Sequence, residues 1–215
     1  LFDGVNALYI ADGHHRTASA VRYGQARRAQ AKDATGEEPF EYFMAVVFPH
    51  NQLKIMDYNR VVKDLNGLTK DQFLAKVGEK FDVAPTADRN PKAPASFGMY
   101  LDGQWYSLKA KPGSYPASDP VRSLDVSILQ ENLLNPILGI QDPRTDKRID
   151  FVGGIRGMDE LERRVKEGMA VAFSMYPTSL VQLMDVADAG KIMPPKSTWF
   201  EPKLRSGLLV RIYEG

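Results

Sequence analysis

The chain of 215 residues has 28 lysines and arginines, 27 aspartates and glutamates, a net charge of +1, 43% hydrophobic residues and no cysteine. That balance gives no general attraction to nucleic acid or to a membrane surface. It also excludes disulfides and thiolate metal centres, and suits a cytoplasmic setting. No apolar run approaches the ~20 residues that cross a bilayer, and no signal peptide is evident.

Read in chain order, residues 7–11 are an apolar run that predicts a buried strand, and residues 17–32, free of proline, predict a helix. Residues 41–48 and 53–58 read as strands on either side of a Pro49-His50-Asn51 turn. Thr69 with Gln72 forms a capping box before a helix whose Phe73, Leu74 and Val77 share a face. Residues 81–84 read as extended. Two β-rich runs flank Asp102-Gly103, the preferred type I′ hairpin turn. Asp119-Pro120 predicts an N-cap and first turn of a helix through about Leu134, with Val121, Leu124, Ile128 and Leu129 on one face. Beyond it lie a strand at 149–153, a helix marked by Met158, Leu161 and Val165 and ended by Gly168, and a strand at 169–175. A second capping box at Ser179 and Gln182 opens a helix closed near Gly190, and 208–213 reads as a last strand.

The irregular alternation predicts an α+β fold, a mixed β-sheet with flanking helices and at least one hairpin, over 1–215 as a single region. The chain begins at Leu1 and reaches a strand almost at once, which would lie at an edge or lack neighbours. It therefore reads as the C-terminal part of a longer protein.

The densest chemistry is Asp12-Gly13-His14-His15-Arg16, where the first predicted strand turns into the first helix. A helix start offers open N–H groups and the positive end of the dipole, which attract phosphate. Two imidazoles and a guanidinium stand beside it. The same residues also suit a plain turn, with Asp12 as N-cap, Gly13 reversing the chain and Arg16 on a surface carboxylate. A second dense segment is Met193-Pro194-Pro195-Lys196-Ser197-Thr198-Trp199-Phe200-Glu201-Pro202-Lys203. Its prolines stiffen the backbone, and Lys196, Ser197 and Thr198 could grip phosphate oxygens, or the segment could simply end a helix and fill the core. Asn59-Arg60 reads as a polar pair at a strand end, most simply exposed. Asp125 is a candidate Mg²⁺ ligand or base, Asp150 a candidate ligand contact, and His50 a solvated turn residue. No G-x-G-x-x-G, Walker or G-x-S-x-G motif is present, and adjacent histidines with no third ligand argue against zinc.

The segment from Tyr9 through Arg16 resembles the hallmark of a prokaryotic family of unknown function, numbered one thousand and fifteen. Asn59-Arg60-Val61-Val62, Leu124-Asp125-Val126-Ser127-Ile128-Leu129 and the 193–203 segment resemble its other recurrent blocks, in the same order. Members are usually about twice this length, so the resemblance implies a missing N-terminal half as a partner of this part. Asp12-Gly13-His14-His15-Arg16 is also similar to a block in free-serine kinases of the ParB/sulfiredoxin-like fold, where the corresponding turn and helix start hold nucleotide phosphates. Their catalytic carboxylate lies upstream of this block and has no counterpart here.

The leading expectation is thus a nucleotide-dependent kinase of a small hydroxyl metabolite, with free serine a candidate. Gly13, Arg16, Lys196, Ser197 and Thr198 would hold ATP or ADP. Asp12, His14 and His15 would be catalytic, and Asp12 or Asp125 would ligate Mg²⁺. The competing expectations are a nucleotide- or phosphate-binding regulatory module without turnover, and a hydrolase of a phosphorylated metabolite. The turn at 12–16 should open onto solvent, and the 196–203 segment should approach it.

Overall fold

A computed structural model describes residues 2–205 and 207–213. The helices are α1 (His14–Gln30), α2 (Lys70–Lys80), α3 (Asp125–Leu129), α4 (Met158–Lys166) and α5 (Leu180–Asp188). The strands are β1 (Lys54–Met56), β2 (Tyr58–Val62), β3 (Phe81–Pro85), β4 (Ser96–Leu101), β5 (Gln104–Ala110), β6 (Ile149–Gly153), β7 (Val171–Met175) and β8 (Trp199–Glu201). The fold is α+β, as expected. By its contacts the chain divides into a smaller unit, 1–54 with 200–215, and a larger unit, 55–199.

The larger unit is built on a six-stranded sheet in the order β3-β5-β4-β7-β2-β6. Every pairing in it is antiparallel, where the sequence reading allowed a mixed sheet. The β4–β5 hairpin turns at Asp102 (φ 50°) and Gly103 (φ 78°), the two left-handed positions that a type I′ turn requires. Side chains alternate between faces with the strand period of two. Val62, Met99 and Phe173 point into the main core with Phe73 and Val77 of α2 and with Leu124, Ile128, Leu129, Leu133 and Leu134. Val61, Tyr100 and Ala172 point the other way and are covered by Leu161 of α4. Both capping boxes form, at Thr69–Gln72 and Ser179–Gln182.

Three local expectations shift. The strand expected at 53–58 is broken at Asp57 into β1 and β2, so Asn59 and Arg60 fall inside β2 rather than past its end. The helix expected from Asp119 begins instead at Asp125. The Asp119 carboxylate accepts the N–H groups of Val121 and Arg122 in a separate turn. After α3 the chain widens into a π-helical turn, Gln130–Leu134, closed by the Asn135 N–H on the Gln130 carbonyl at 3.0 Å.

In the smaller unit α1 lies against the short turn Pro39–Glu41. Its Gly24 is buried there because a Cβ would sit 2.7 Å from the Phe40 carbonyl oxygen. Arg28 pairs with Glu41, and Arg211 donates to the carbonyls of Pro39 and Tyr42. The strands expected at 7–11, 41–48 and 208–213 are not formed. Their compositions favour β-structure, but a strand exists only when a neighbour completes its ladder, and none of the three stretches is paired in a sheet. Their apolar side chains stand exposed: Leu8 at 65%, Val47 at 49% and Val210 at 77%.

Gly98, in the middle of β4, has no room for a side chain: a Cβ would lie 2.3 Å from Ser174 Oγ and 2.8 Å from the Arg89 carbonyl oxygen. Gly98→Ala is therefore expected to destabilise the larger unit by about 1–3 kcal/mol, the range for overpacking. Urea unfolding with an unchanged m-value but a lower midpoint checks this.

Candidate functional site

The turn before α1 is open, as its sequence suggests. Gly13, at φ 82°, is the N-cap, so the expectation that Asp12 caps the helix is corrected; no side chain caps α1, and its first turn holds no acid. The first intrahelical bond is Thr17 N–H to the Gly13 carbonyl, at 2.9 Å. The N–H groups of His14, His15 and Arg16 precede it and point out of the helix end. Asp12, His14, His15 and Arg16 are exposed. The Arg16 guanidinium folds back over the turn, so that a Cβ on Gly13 would lie 3.1 Å from Nη2. Three backbone donors, the dipole and a planar fork of N–H groups thus gather on one side of Gly13.

Asp12 stands at the same turn, within reach of the Arg16 charge. Its Oδ1 accepts the Gly13 N–H at 2.8 Å, and its Oδ2 is 3.2 Å from Lys203 Nζ. Burial pushes the Asp12 carboxyl up. The hydrogen bonds from Lys203 and Gly13 and the charge of Arg16 outweigh that and hold it below the usual carboxylate range. Of the 196–203 segment, then, Lys203 reaches the turn, 191 residues away in sequence.

Lys196, Ser197 and Thr198 belong to the larger unit. Lys196 is exposed, in the left-handed region (φ 56°), with Nζ 5.6 Å from the centre of the Tyr58 ring. Ser197 is buried and its hydroxyl donates to the Pro194 carbonyl, which corrects the expectation of a phosphate-gripping serine. Thr198 is half-buried.

Sequence reasoning missed the buried polar cluster around β2. Asn59 is fully buried: its Oδ1 accepts the Met175 N–H at 2.9 Å and its Nδ2 donates to Asp57. Arg60, expected at the surface, is 4% exposed. Its Nη1 donates to the Tyr58 carbonyl, its Nη2 to the Lys196 carbonyl at 3.0 Å, and its guanidinium lies 5.5 Å from the ring centre of its cross-strand neighbour Phe151. Burial pulls its pKa down to about 10. The signal was the strand period itself: Arg60 is two residues from Val62 and so shares its inward face. Asp125 is also buried. One carboxylate oxygen accepts the Ala95 N–H at 2.9 Å and the other has no hydrogen-bond partner among the described residues. Burial pushes its pKa up to about 7, against the pull of the Ala95 hydrogen bond and the Arg60 charge.

Mg²⁺ at phosphate sites takes one or two carboxylates together with phosphate oxygens. Asp12 has both oxygens engaged, Asp125 is closed in beside Ala95, and the described residues contain no group of three histidines or acids placed to hold a metal. The donor set at these two aspartates does not fit the ion. Asp150, exposed, pairs with Arg164, and His50 is exposed in its turn.

A family model described as "Protein of unknown function (DUF1015)" matches residues 1–127. No curated protein matches the chain. Among solved structures, a mutant of free serine kinase in complex with AMP is similar at 14% identity and a TM-score of 0.47, over 93% of this chain and 70% of that one. A mutant of the kinase in complex with ADP is similar at 13% identity and 0.44, over 89% and 66%. A conserved hypothetical protein from Pyrococcus furiosus is similar at 14% identity and 0.46, over 93% and 72%. In the larger unit as in the smaller, no described helix is long and apolar enough to cross a membrane.

The buried Asp125 carries a pH signature. Its folded pKa, about 7, lies above the unfolded 3.8. Its contribution is fully present below about pH 4 and is lost as pH rises to about 7, because the unfolded chain ionises first. Asn keeps the acceptor for the Ala95 N–H and cannot ionise. Asp125→Asn should match the parent near pH 4 and exceed its stability by about 2–4 kcal/mol at pH 8. Chemical denaturation of both proteins across that range checks the prediction.

Proposed function

This chain belongs to the family described as Protein of unknown function (DUF1015), and we propose that it is a nucleotide-dependent, kinase-like protein. It passes a phosphoryl group from ATP or ADP to a small hydroxyl metabolite, with free serine as the leading acceptor. The observation that carries this reading is the uncapped start of α1, where the N–H groups of His14, His15 and Arg16 stand open beside a folded-back guanidinium. Phosphoryl transfer needs positioning and charge stabilisation more than covalent chemistry, and such donors supply both. Arg16 takes two phosphate oxygens in its fork. Gly13 leaves the backbone bare where the phosphate approaches. His14 and His15, exposed on the first turn, donate to the charge that develops on the transferring group. The resemblance of the Asp12 to Arg16 block to free-serine kinases supports the same assignment.

One observation favours a second reading, a phosphate- or nucleotide-binding module without turnover. Asp12, the carboxylate at the turn, is held ionised by Lys203 and has both oxygens engaged, which suits a structural anchor better than a general base. A base would then come from elsewhere. We assign it to a further segment of the same polypeptide, which would also supply strands for 7–11, 41–48 and 208–213 and cover their exposed apolar side chains.

Calorimetry with ATP and with ADP tests the binding site. Arg16→Ala should weaken nucleotide binding roughly ten- to a hundredfold, and Arg16→Lys should recover only part, because lysine keeps the charge and loses the fork. Equal affinity in all three proteins removes Arg16 from the site. Phosphorus NMR of the products formed with serine separates the kinase from the module.

A further inference from the structure

The cleft beside Arg60 is not used by that reading and lies wholly in the larger unit. A buried guanidinium is costly unless an anion or a full set of acceptors meets it. Two of its five N–H donors go to the carbonyls of Tyr58 and Lys196. Among the described residues no carboxylate lies within ion-pair distance of it. The ionisable groups that act on it are Tyr58 and, after it, Asp125, whose burial keeps it partly protonated near neutral pH. The acids at the rim are already matched: Glu131 by Arg122, Asp142 by Arg144.

Arg60 borders a cavity of about 540 Å³ whose apolar walls include Leu134, Phe151 and Pro194. An adjoining cavity of about 490 Å³ shares Phe151 and is bordered by Lys196, which makes no ion pair among the described residues. These volumes suit a metabolite rather than a macromolecule. Gln130 also borders the first cavity. Its Nε2 donates to the Ile140 carbonyl at 2.7 Å and to the Gln141 carbonyl at 3.4 Å. Both partners are acceptors, so the amide orientation is fixed, and Oε1 is left buried without a donor among the described residues.

We infer that this cleft binds a small metabolite whose oxyanion, carboxylate or phosphate, sits on the Arg60 guanidinium, and whose neighbouring hydroxyl or amino group donates to Gln130 Oε1. The ligand supplies the counter-charge that the fold withholds from Arg60 and the donor that it withholds from Gln130. Lys196, held by its carbonyl to Nη2 of the same arginine, adds a second cation at the mouth. This site stands or falls independently of the α1 turn.

The test is ¹H–¹⁵N NMR of the 215-residue protein titrated separately with inorganic phosphate, acetate and glycolate. Saturable shifts are expected at the Arg60 Nε–H, the Gln130 side-chain amide and the backbone N–H of Phe151 and Lys196. The phosphate and carboxylate arms show which oxyanion is taken. Glycolate should bind roughly three- to tenfold tighter than acetate, through its added hydroxyl. Arg60→Lys should weaken binding about tenfold or more, by loss of the fork. The wild-type glycolate preference gives a reading even where that variant does not fold. Equal binding of glycolate and acetate overturns the role of Gln130. Shifts that never saturate, or that are confined to residues 13–17, overturn the site, and the latter outcome leaves the α1 reading standing.

Discussion

β2 must satisfy neighbours on both edges and both faces with five residues. It pairs antiparallel with β6 on one side and β7 on the other. Val61 and Val62 send one side chain into each core. Asn59 carries the link to β7 past the backbone ladder by accepting the Met175 N–H. Arg60 takes the position at the end of the main core where an aliphatic residue would be ordinary, and turns it outward to the proline-rich segment through the Lys196 carbonyl. A position inside the sheet, between Tyr58 and Val62 on the same face, is thereby charged. The larger unit acquires a buried cation, a fixed loop and a cleft from one strand, which is why substitutions at β2 cannot be read as sheet effects alone.

What could be read from the sequence was what is decided locally. The Asp102-Gly103 hairpin and the two capping boxes depend on residues within four positions of each other, and all three form. The start of α1 is local too: Gly13 adopts the positive φ that only glycine takes cheaply, and the helix follows at once. Residues 7–11 and 41–48 show the opposite case. Their composition is that of strands, yet pairing is a property of distant partners, and composition is silent about those.

The candidate site divides along the same line. Exposure of His14, His15 and Arg16 follows from a helix start, whereas the Asp12–Lys203 contact joins residues 191 apart and no spacing rule predicts it. Ser197 was misread because a hydroxyl in a proline-rich segment looks available, and the Pro194 carbonyl, which lacks no acceptor capacity, claims it. Arg60 was read as a surface group by residue type, and Asp125 as a candidate ligand or base. The period of two on β2 contradicts that for Arg60, whereas Asp125 stands at the first position of α3, where nothing in its spacing marks it as buried.

The π turn after α3 sets the phase of everything that follows it. Closing on the fifth residue instead of the fourth holds one more residue in the turn, and the chain leaves it about 100° behind a regular helix. Leu129 on one side and Leu133 and Leu134 on the other therefore reach the core together, while Gln130 between them turns its amide to the carbonyls of Ile140 and Gln141. Geometrically the turn holds one residue more than a regular helical turn. Removing one residue from 130–134 would close the wide turn and carry the buried Leu133 and Leu134 off the core, so the length of this stretch is held by the same packing that holds its leucines.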